Sequence, residues 1–432
     1  MIKRILITSI ILLYAISNAN AQTGTWSGKL DIQGTKLSLV FNLDGDKPTM
    51  DSPDQGVKGL AAQVERGLDG KIIIKVPSLA INYEGVWQEN KIVGTFNQMN
   101  VSLPLTLTPG EDKPNRPQTP VGPFPYATEE ISFANGNYIL SGTLTLPEGY
   151  SRKTPVLLMV TGSGQQNRDE ELFDHKPFAV IADALARAGI ATLRYDDRGF
   201  GDSSAKPMEW TTEDFKLDAL AGLELLRGRF DKVGVLGHSE GGTIAMMIAA
   251  EKKADFIVSL AGMAISGAET LLWQNRVALK GLGFTDEQVE SYCKMLETAF
   301  DVRVNGGRMP NPDDYDVPES LLQNYWAVVA QIQMPYMIHL LSLDARSILG
   351  NVTCPVLALN GSKDNQVDHE SNLSAIRNGL PSNSKNCIET IDGVNHLFQR
   401  CKTGQVPEYR TIEETFAPEV LEIIIKWMSD FK

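Results

Sequence analysis

Residues 109–125 read PGEDKPNRPQTPVGPFP, with six prolines and no apolar periodicity. Proline lacks a backbone donor and fixes φ, so such a stretch enters neither a helix interior nor a central strand. It predicts a semi-rigid linker over 109–125, with a separately folded body on either side. The hydrophobic pattern changes across it. Over residues 22–108 apolar residues alternate with others, as in 36–43 (KLSLVFNL), where Leu37, Leu39, Phe41 and Leu43 share one face. Further short runs at 71–76, 79–83, 91–96 and 102–107 are divided by Gly, Asp, Asn and Pro, which predicts a small all-β barrel or sandwich. Trp26 and Trp87 occupy similar Gly-bounded settings near its two ends, as strands that meet would.

Over 126–432 strands and helices alternate instead. Apolar runs at 155–160, 190–195, 233–236, 256–260, 355–360 and 386–391 read as strands, several of them buried on both faces. Helical patterns at 178–188, 212–230 and from 241 lie between them, and another at 418–431 closes the chain. This rhythm predicts an α/β fold, a mostly parallel sheet with helices on both faces, behind an entry hairpin near 138–146. A helical insertion at about 264–347 interrupts it. Its aromatic and Met residues, Tyr292, Phe300 and Tyr336 among them, suit the core of a small helical cap with some lining a pocket.

The first 21 residues read as a signal peptide: a basic start (Lys3, Arg4), an apolar run at 5–16, and Ala19-Asn20-Ala21 before the cleavage point. About 20 apolar residues are needed to span a bilayer, so no stable membrane anchor is expected after cleavage. The mature chain would begin at Gln22 and be periplasmic or secreted. Formal net charge is −13, and −15 once Lys3 and Arg4 leave, which argues against nucleic acid or an anionic membrane surface as partner. Cys293, Cys354, Cys387 and Cys401 are irregularly spaced and make no disulfide framework or zinc pattern. HExxH, Walker-type and GxGxxG strings are absent, so neither metal nor cofactor is expected.

Directly after the strand at 233–236, Gly237-His238-Ser239-Glu240-Gly241 matches G-x-S-x-G and opens a helix rich in small residues. The string alone is weak. Between a strand and a helix it describes a tight turn that lifts a serine above the carboxyl ends of a sheet. The competing role for Ser239 is an ordinary helix N-cap. A serine attacks a carbonyl only with a base to take its proton and an acid to orient that base. The chain order in such sheets is Ser, then Asp or Glu, then His. His396, just past the strand at 386–391, is the favoured base, with His369 at a helix start as the alternative. Asp364, close behind the strand at 355–360, is the favoured acid over Asp368; helix capping competes for either. The backbone N–H groups of Glu240 and of Ser163, in the loop TGSGQ (161–165), are expected to bind the oxyanion. Ser239, Asp364 and His396 thus predict a serine hydrolase for a small-molecule ester. His238 is expected to pack beneath the turn, and RYDDRGFG (194–201) to tie its loop by ion pairs.

The segment 123–432 resembles secreted bacterial α/β-hydrolases of the serine carboxylesterase type. The resemblance is carried by TGSGQQNRDE (161–170), HKPFAVIADALARAGIATLRYDDRGFGDS (175–203), GHSEGG (237–242), ALNGSKDNQV (358–367) and NHLFQ (395–399). Similar proteins often carry a β-rich N-terminal domain with a motif like DSPDQG (51–56). The resemblance implies an α/β-hydrolase fold with the same triad, and Thr161 and Asn167 stand where such proteins often have His and Asp. A serine peptidase of the prolyl-oligopeptidase kind is the nearest rival, but 87 β-rich residues cannot build its propeller. A glycan- or lipid-binding protein with a vestigial hydrolase domain is the rival from another class. The N-terminal domain is expected to pack on the hydrolase or to mediate a homodimer.

Overall fold

A computed structural model describes residues 24–432 apart from 33–34, 56, 68, 100, 112–114 and 205–209. Residues 1–21, for which a signal peptide is expected, and Gly56 of the DSPDQG motif lie outside the described residues. The chain divides into two units, 1–113 and 114–432.

The first unit is a nearly barrel-like antiparallel sheet. Its strands are β1 (Thr25–Ile32), β2 (Thr35–Asn42), β3 (Thr49–Ser52), β4 (Val57–Ala61), β5 (Gln63–Arg66), β6 (Lys71–Val76), β7 (Ile81–Gln88), β8 (Lys91–Gln98) and β9 (Val101–Pro109). They run in the order β4-β3-β2-β1-β9-β8-β7-β6-β5. Alternate residues enter one core around Trp26, Phe41, Ile74, Tyr83 and Leu107. The buried Tyr83 hydroxyl donates to the carbonyls of Ile92 and Leu105, so its polar end is satisfied inside that core. Trp26 and Trp87 do meet, edge to face at 5.2 Å. Their strands β1 and β7 are not sheet neighbours, so the meeting is ring against ring. The run expected at 79–83 starts later: Pro77–Leu79 is a 3₁₀ turn, Ala80 takes φ 52°, and the strand begins at Ile81.

The second unit has an eight-stranded sheet among the described residues. It comprises β10 (Ala127–Asn135), β11 (Tyr138–Leu146), β12 (Val156–Val160), β13 (Ala191–Tyr195), β14 (Val233–His238), β15 (Ile257–Leu260), β16 (Val356–Gly361) and β17 (Cys387–Ile391). The order is β10-β11-β13-β12-β14-β15-β16-β17, antiparallel for the first two pairings and parallel from β13 to β17. Every residue of β12, β14, β15 and β16 is buried, which explains their unbroken apolar runs. Each large apolar side chain there contributes about 1.5–3 kcal/mol by leaving water. Helices α1 (Pro177–Arg187), α2 (Thr212–Arg227) and α3 (Glu240–Ala250) follow β12, β13 and β14 in turn. Helix α1 packs on one face of the sheet, while α2 and α3 cover the other. This is the α/β-hydrolase fold, with a small all-β domain ahead of it.

The insertion between β15 and β16 forms four helices, α4 (Gly267–Gly281), α5 (Asp286–Asn305), α6 (Glu319–Gln331) and α7 (Pro335–Ser342). Ser266 with Glu269 and Thr285 with Gln288 form capping boxes that start α4 and α5. The four helices share a core around Leu279, Tyr292, Leu296, Phe300 and Tyr325. Beyond β16 come α8 (His369–Gly379), α9 (Val406–Tyr409) and α10 (Pro418–Met428), the last packing beside α1.

From 115 onward the proline-rich stretch is attached to the second unit. Arg116 donates to the carbonyls of Phe173, Arg410 and Ile412, and Gln118 bonds Thr415 and Phe416. The same corner holds His175, fully buried between the Thr415 hydroxyl (2.9 Å) and the Tyr409 carbonyl (3.0 Å). Burial, reinforced by Arg116, lowers its pKa to about 4. The unfolded imidazole titrates near 6.5, so between these values the unfolded chain binds the extra proton. This contribution to stability is complete above pH 6.5 and is lost as pH falls toward 4, by roughly 3 kcal/mol. Urea midpoints measured across that range should fall for the wild type and fall less for His175→Gln.

Candidate active site

The carboxyl ends of β12 and β14 lie side by side, Val160 paired with Gly237, where the strand order reverses. A crevice opens at such a reversal because the following loops diverge. Ser239 leaves β14 at φ 53° and ψ −120°, a conformation few side chains adopt, and begins α3 without capping it. The N-cap role is therefore not the one its hydroxyl plays. Both flanking glycines are required by contact: a Cβ on Gly237 would lie 1.9 Å from the Gly241 carbonyl oxygen, and one on Gly241 would lie 2.1 Å from that of Val160.

His396 and Asp364 converge from the neighbouring strand ends. Asp364, just after β16, accepts from His396 Nδ1 at 2.8 Å through Oδ2 and from the Gln366 and Val367 N–H groups through Oδ1. The carboxylate is thus fixed from both sides. His396 follows β17 in a loop that Asn395 braces, its side-chain oxygen accepting from the N–H groups of Leu397 and Gln399. Asp368 instead caps α8 through Ser371, and His369 faces Thr390 at 3.4 Å near the surface. Of the two candidate acid–base pairs, only Asp364 and His396 meet. Ser239 and His396 line one cavity.

Ser163 lines that cavity too, and its neighbour Gly162 lies so close that a Cβ there would sit 3.3 Å from Ser239 Cβ. Asp197 anchors this loop, accepting from the Thr161 hydroxyl at 2.7 Å and the Gln166 N–H at 2.8 Å. Ion pairs extend the brace: Arg168 with Asp196 at 2.7 Å and Arg198 with Asp218 at 2.7 Å. Glu240, first residue of α3, buries its side chain between the hydroxyls of Thr212 (2.6 Å) and Tyr336. Among the described residues, the backbone N–H groups of Ser163 and Glu240 have no protein acceptor.

Beneath Ser239 lies a second, buried pair. His238 Nδ1 is 2.9 Å from Glu170 Oε1, and its Nε2 is 2.9 Å from the His396 carbonyl oxygen. With Glu170 ionised both partners are acceptors, and both ring nitrogens then donate, as only the imidazolium does. Burial pulls the His238 pKa down, but the charge and hydrogen bond of Glu170 outweigh it and the net shift is upward. The same Glu170 oxygen accepts the Gly162 N–H at 2.7 Å. One carboxylate therefore links the loop that carries Ser163 to the loop that carries His396.

The cavity above Ser239 has a volume of about 730 Å³ and is walled on its far side by the cap residues Phe300, Val328, Ile332, Met337 and Leu340. That size suits a small organic substrate. The profile of the alpha/beta hydrolase family matches residues 157–401, more than half of the chain. The chain belongs to that family. Esterase EstD of Thermotoga maritima is 29% identical to this hydrolase over 311 residues, covering 71% of this chain and 69% of that protein. Solved structures with similar folds include a proline iminopeptidase from Mycobacterium smegmatis (18% identity, 70% and 98% of the two chains, TM-score 0.45). Another is the Pyrococcus furiosus esterase Pf2001 (16% identity, 74% and 98%, TM-score 0.43).

Sequence reasoning placed His238 beneath the turn of the hydrolase but missed its partner Glu170, 68 residues away. The only local signal was an acidic residue closing the TGSGQQNRDE stretch. It also missed that Tyr336 of α7 bonds Glu240, joining the cap to the residue after Ser239. Burial and then Glu240 push that phenol's pKa well above its ordinary value, so it remains a donor. Glu170→Gln removes the counter-charge of His238 and should lower kcat by about 10–100-fold with KM little changed. A purely structural role would instead reduce the amount of active enzyme, which active-site titration with a fluorophosphonate would reveal.

Proposed function

We propose that this hydrolase cleaves carboxylic esters through an acyl-enzyme formed on Ser239. Asp364 accepts from His396 Nδ1, so the neutral ring carries its proton there and offers Nε2 as the base. Nε2 takes the Ser239 proton as Oγ attacks the ester carbonyl, and the imidazolium returns it to the departing alcohol. Water then enters, gives a proton to the same nitrogen and releases the acid. The N–H groups of Ser163 and Glu240 bind the oxyanion in both steps, each contributing about 10²–10³ in rate. The observation that carries this reading is the Asp364–His396 pair opening on the cavity that holds Ser239 at positive φ. Similarity to an esterase supports the choice of ester over other acyl groups. The leader-like residues 1–21 support export to the periplasm or medium.

The deciding experiment has two arms. A fluorophosphonate should add to the peptide containing Ser239, and nitrophenyl acyl esters should turn over far faster than aminoacyl amides. Absence of the adduct would favour a vestigial domain, while preference for the amides would make the protein a peptidase.

A further inference from the structure

The cavity above Ser239 is lined by seven side-chain amides and, among the described residues, by no lysine or arginine. Four of these amides spend their NH₂ on a backbone carbonyl: Gln165 on Arg198, Gln166 on Ser163 (3.4 Å), Gln274 on Gln366 (2.7 Å) and Asn275 on Leu271 (2.8 Å). A carbonyl can only accept, so the orientation of each amide is fixed and its oxygen is at the opposite end. Among the described residues none of these four oxygens receives a protein hydrogen bond. Each NH₂ also keeps a second N–H beyond the one it spends, so the site offers both acceptors and donors to a ligand, the two roles that a hydroxyl group fills.

The charged lining narrows the ligand further. Glu170 is matched by His238 and the Gly162 N–H, and Glu171 by Lys176 (3.5 Å) and the Asn167 amide (3.3 Å). An ammonium group would find no unmatched carboxylate, and an anion would find no cation except His238, whose charge Glu170 already matches. Neutral hydroxyl groups satisfy the amide oxygens without either cost. The cap wall of α6 and α7, with Val328, Ile332, Met337 and Leu340, offers the complementary apolar surface.

We propose that the substrate is an ester of a polyhydroxylated alcohol, an acylated sugar or polyol. Its hydroxyls donate to the amide oxygens and its hydrocarbon chain packs against α6 and α7. This rests on the serine-ester reading above. The bond broken is the ester C–O bond; the acyl group passes to Ser239 and then to water, and the polyol leaves with the proton from His396.

The test compares kcat/KM for glucose octanoate, its O-methylated analogue and ethyl octanoate. All three share the acyl chain, and the methylated sugar keeps the bulk but loses the donors. Glucose octanoate should exceed both others by about tenfold or more, as two or three hydroxyl–amide bonds imply. Gln274→Leu and, separately, Asn275→Leu should shrink that ratio, chiefly through KM. Equal rates for glucose octanoate and either comparator would overturn the polyol assignment while leaving ester hydrolysis standing. Faster turnover of alanine ethyl ester than of glucose octanoate would overturn it in favour of amine recognition. Failure to hydrolyse any of the esters would sink the reading on which it rests.

Discussion

Ser239→Ala should lower kcat toward nitrophenyl esters by about a millionfold and leave the fold intact. The size follows from removing the only atom that bonds the acyl group, after which the oxyanion donors and substrate binding alone give a residual 10³–10⁴ over water. The fold survives because Ser239 makes no cap hydrogen bond, so no structural contact of the hydroxyl is lost. Alanine tolerates φ 53° about as poorly as serine, so the strain of the turn is unchanged. Steady-state kinetics beside a thermal melt would check both halves. Full activity in the variant would remove Ser239 from the mechanism.

Asp364→Asn should lower kcat by about 10⁴ near neutral pH, with KM and the melting midpoint nearly unchanged. The reason lies in how its two oxygens are used. Oδ1 accepts from two backbone N–H groups, and only an oxygen can serve there. An asparagine must therefore turn its NH₂ toward His396 Nδ1, where the carboxylate oxygen now accepts. The ring would move its proton to Nε2 to accept that NH₂, and Nε2 would cease to be a base. A variant such as Asp364→Ala, which leaves the tautomer free, should retain more activity than Asp364→Asn. The reverse order would count against this account.

The parts of the site that were legible from sequence are those built by local chain geometry. A buried strand, two obligatory glycines and a small-residue helix specify the turn at Ser239 within ten residues. Asp364 and His396 were legible because each follows an apolar run at once, and strand ends in a parallel sheet converge. Glu170 was not, because its meaning depends on His238, and no periodicity connects a loop acid to a strand residue. Tyr336 reads as one more aromatic of a helical core until the cap is placed over α3. In the first unit β3, β4 and β5 went unread. The last two carry sequences such as VKGLA and QVER, lie at the two ends of the sheet and expose most of their residues. Edge strands are held by backbone bonds that leave little hydrophobic signature. The 3₁₀ turn at Pro77–Leu79 was hidden by apolar residues that imitate a strand.

The sheet closes beneath the cap as though the cap were not there. Strands β15 and β16 pair without a shift from Ile257–Val356 to Leu260–Leu359, although about a hundred residues separate them in sequence. Those residues fold around a core of their own and return the chain to the place it left. Changes between 264 and 347 that keep Tyr336 on Glu240 and Gln274 on the Gln366 carbonyl can therefore accumulate without moving Ser239, Asp364 or His396. The apolar part of what the protein accepts is thus carried by a stretch of sequence apart from the one that carries the reaction, and the two are free to change at different rates across a lineage.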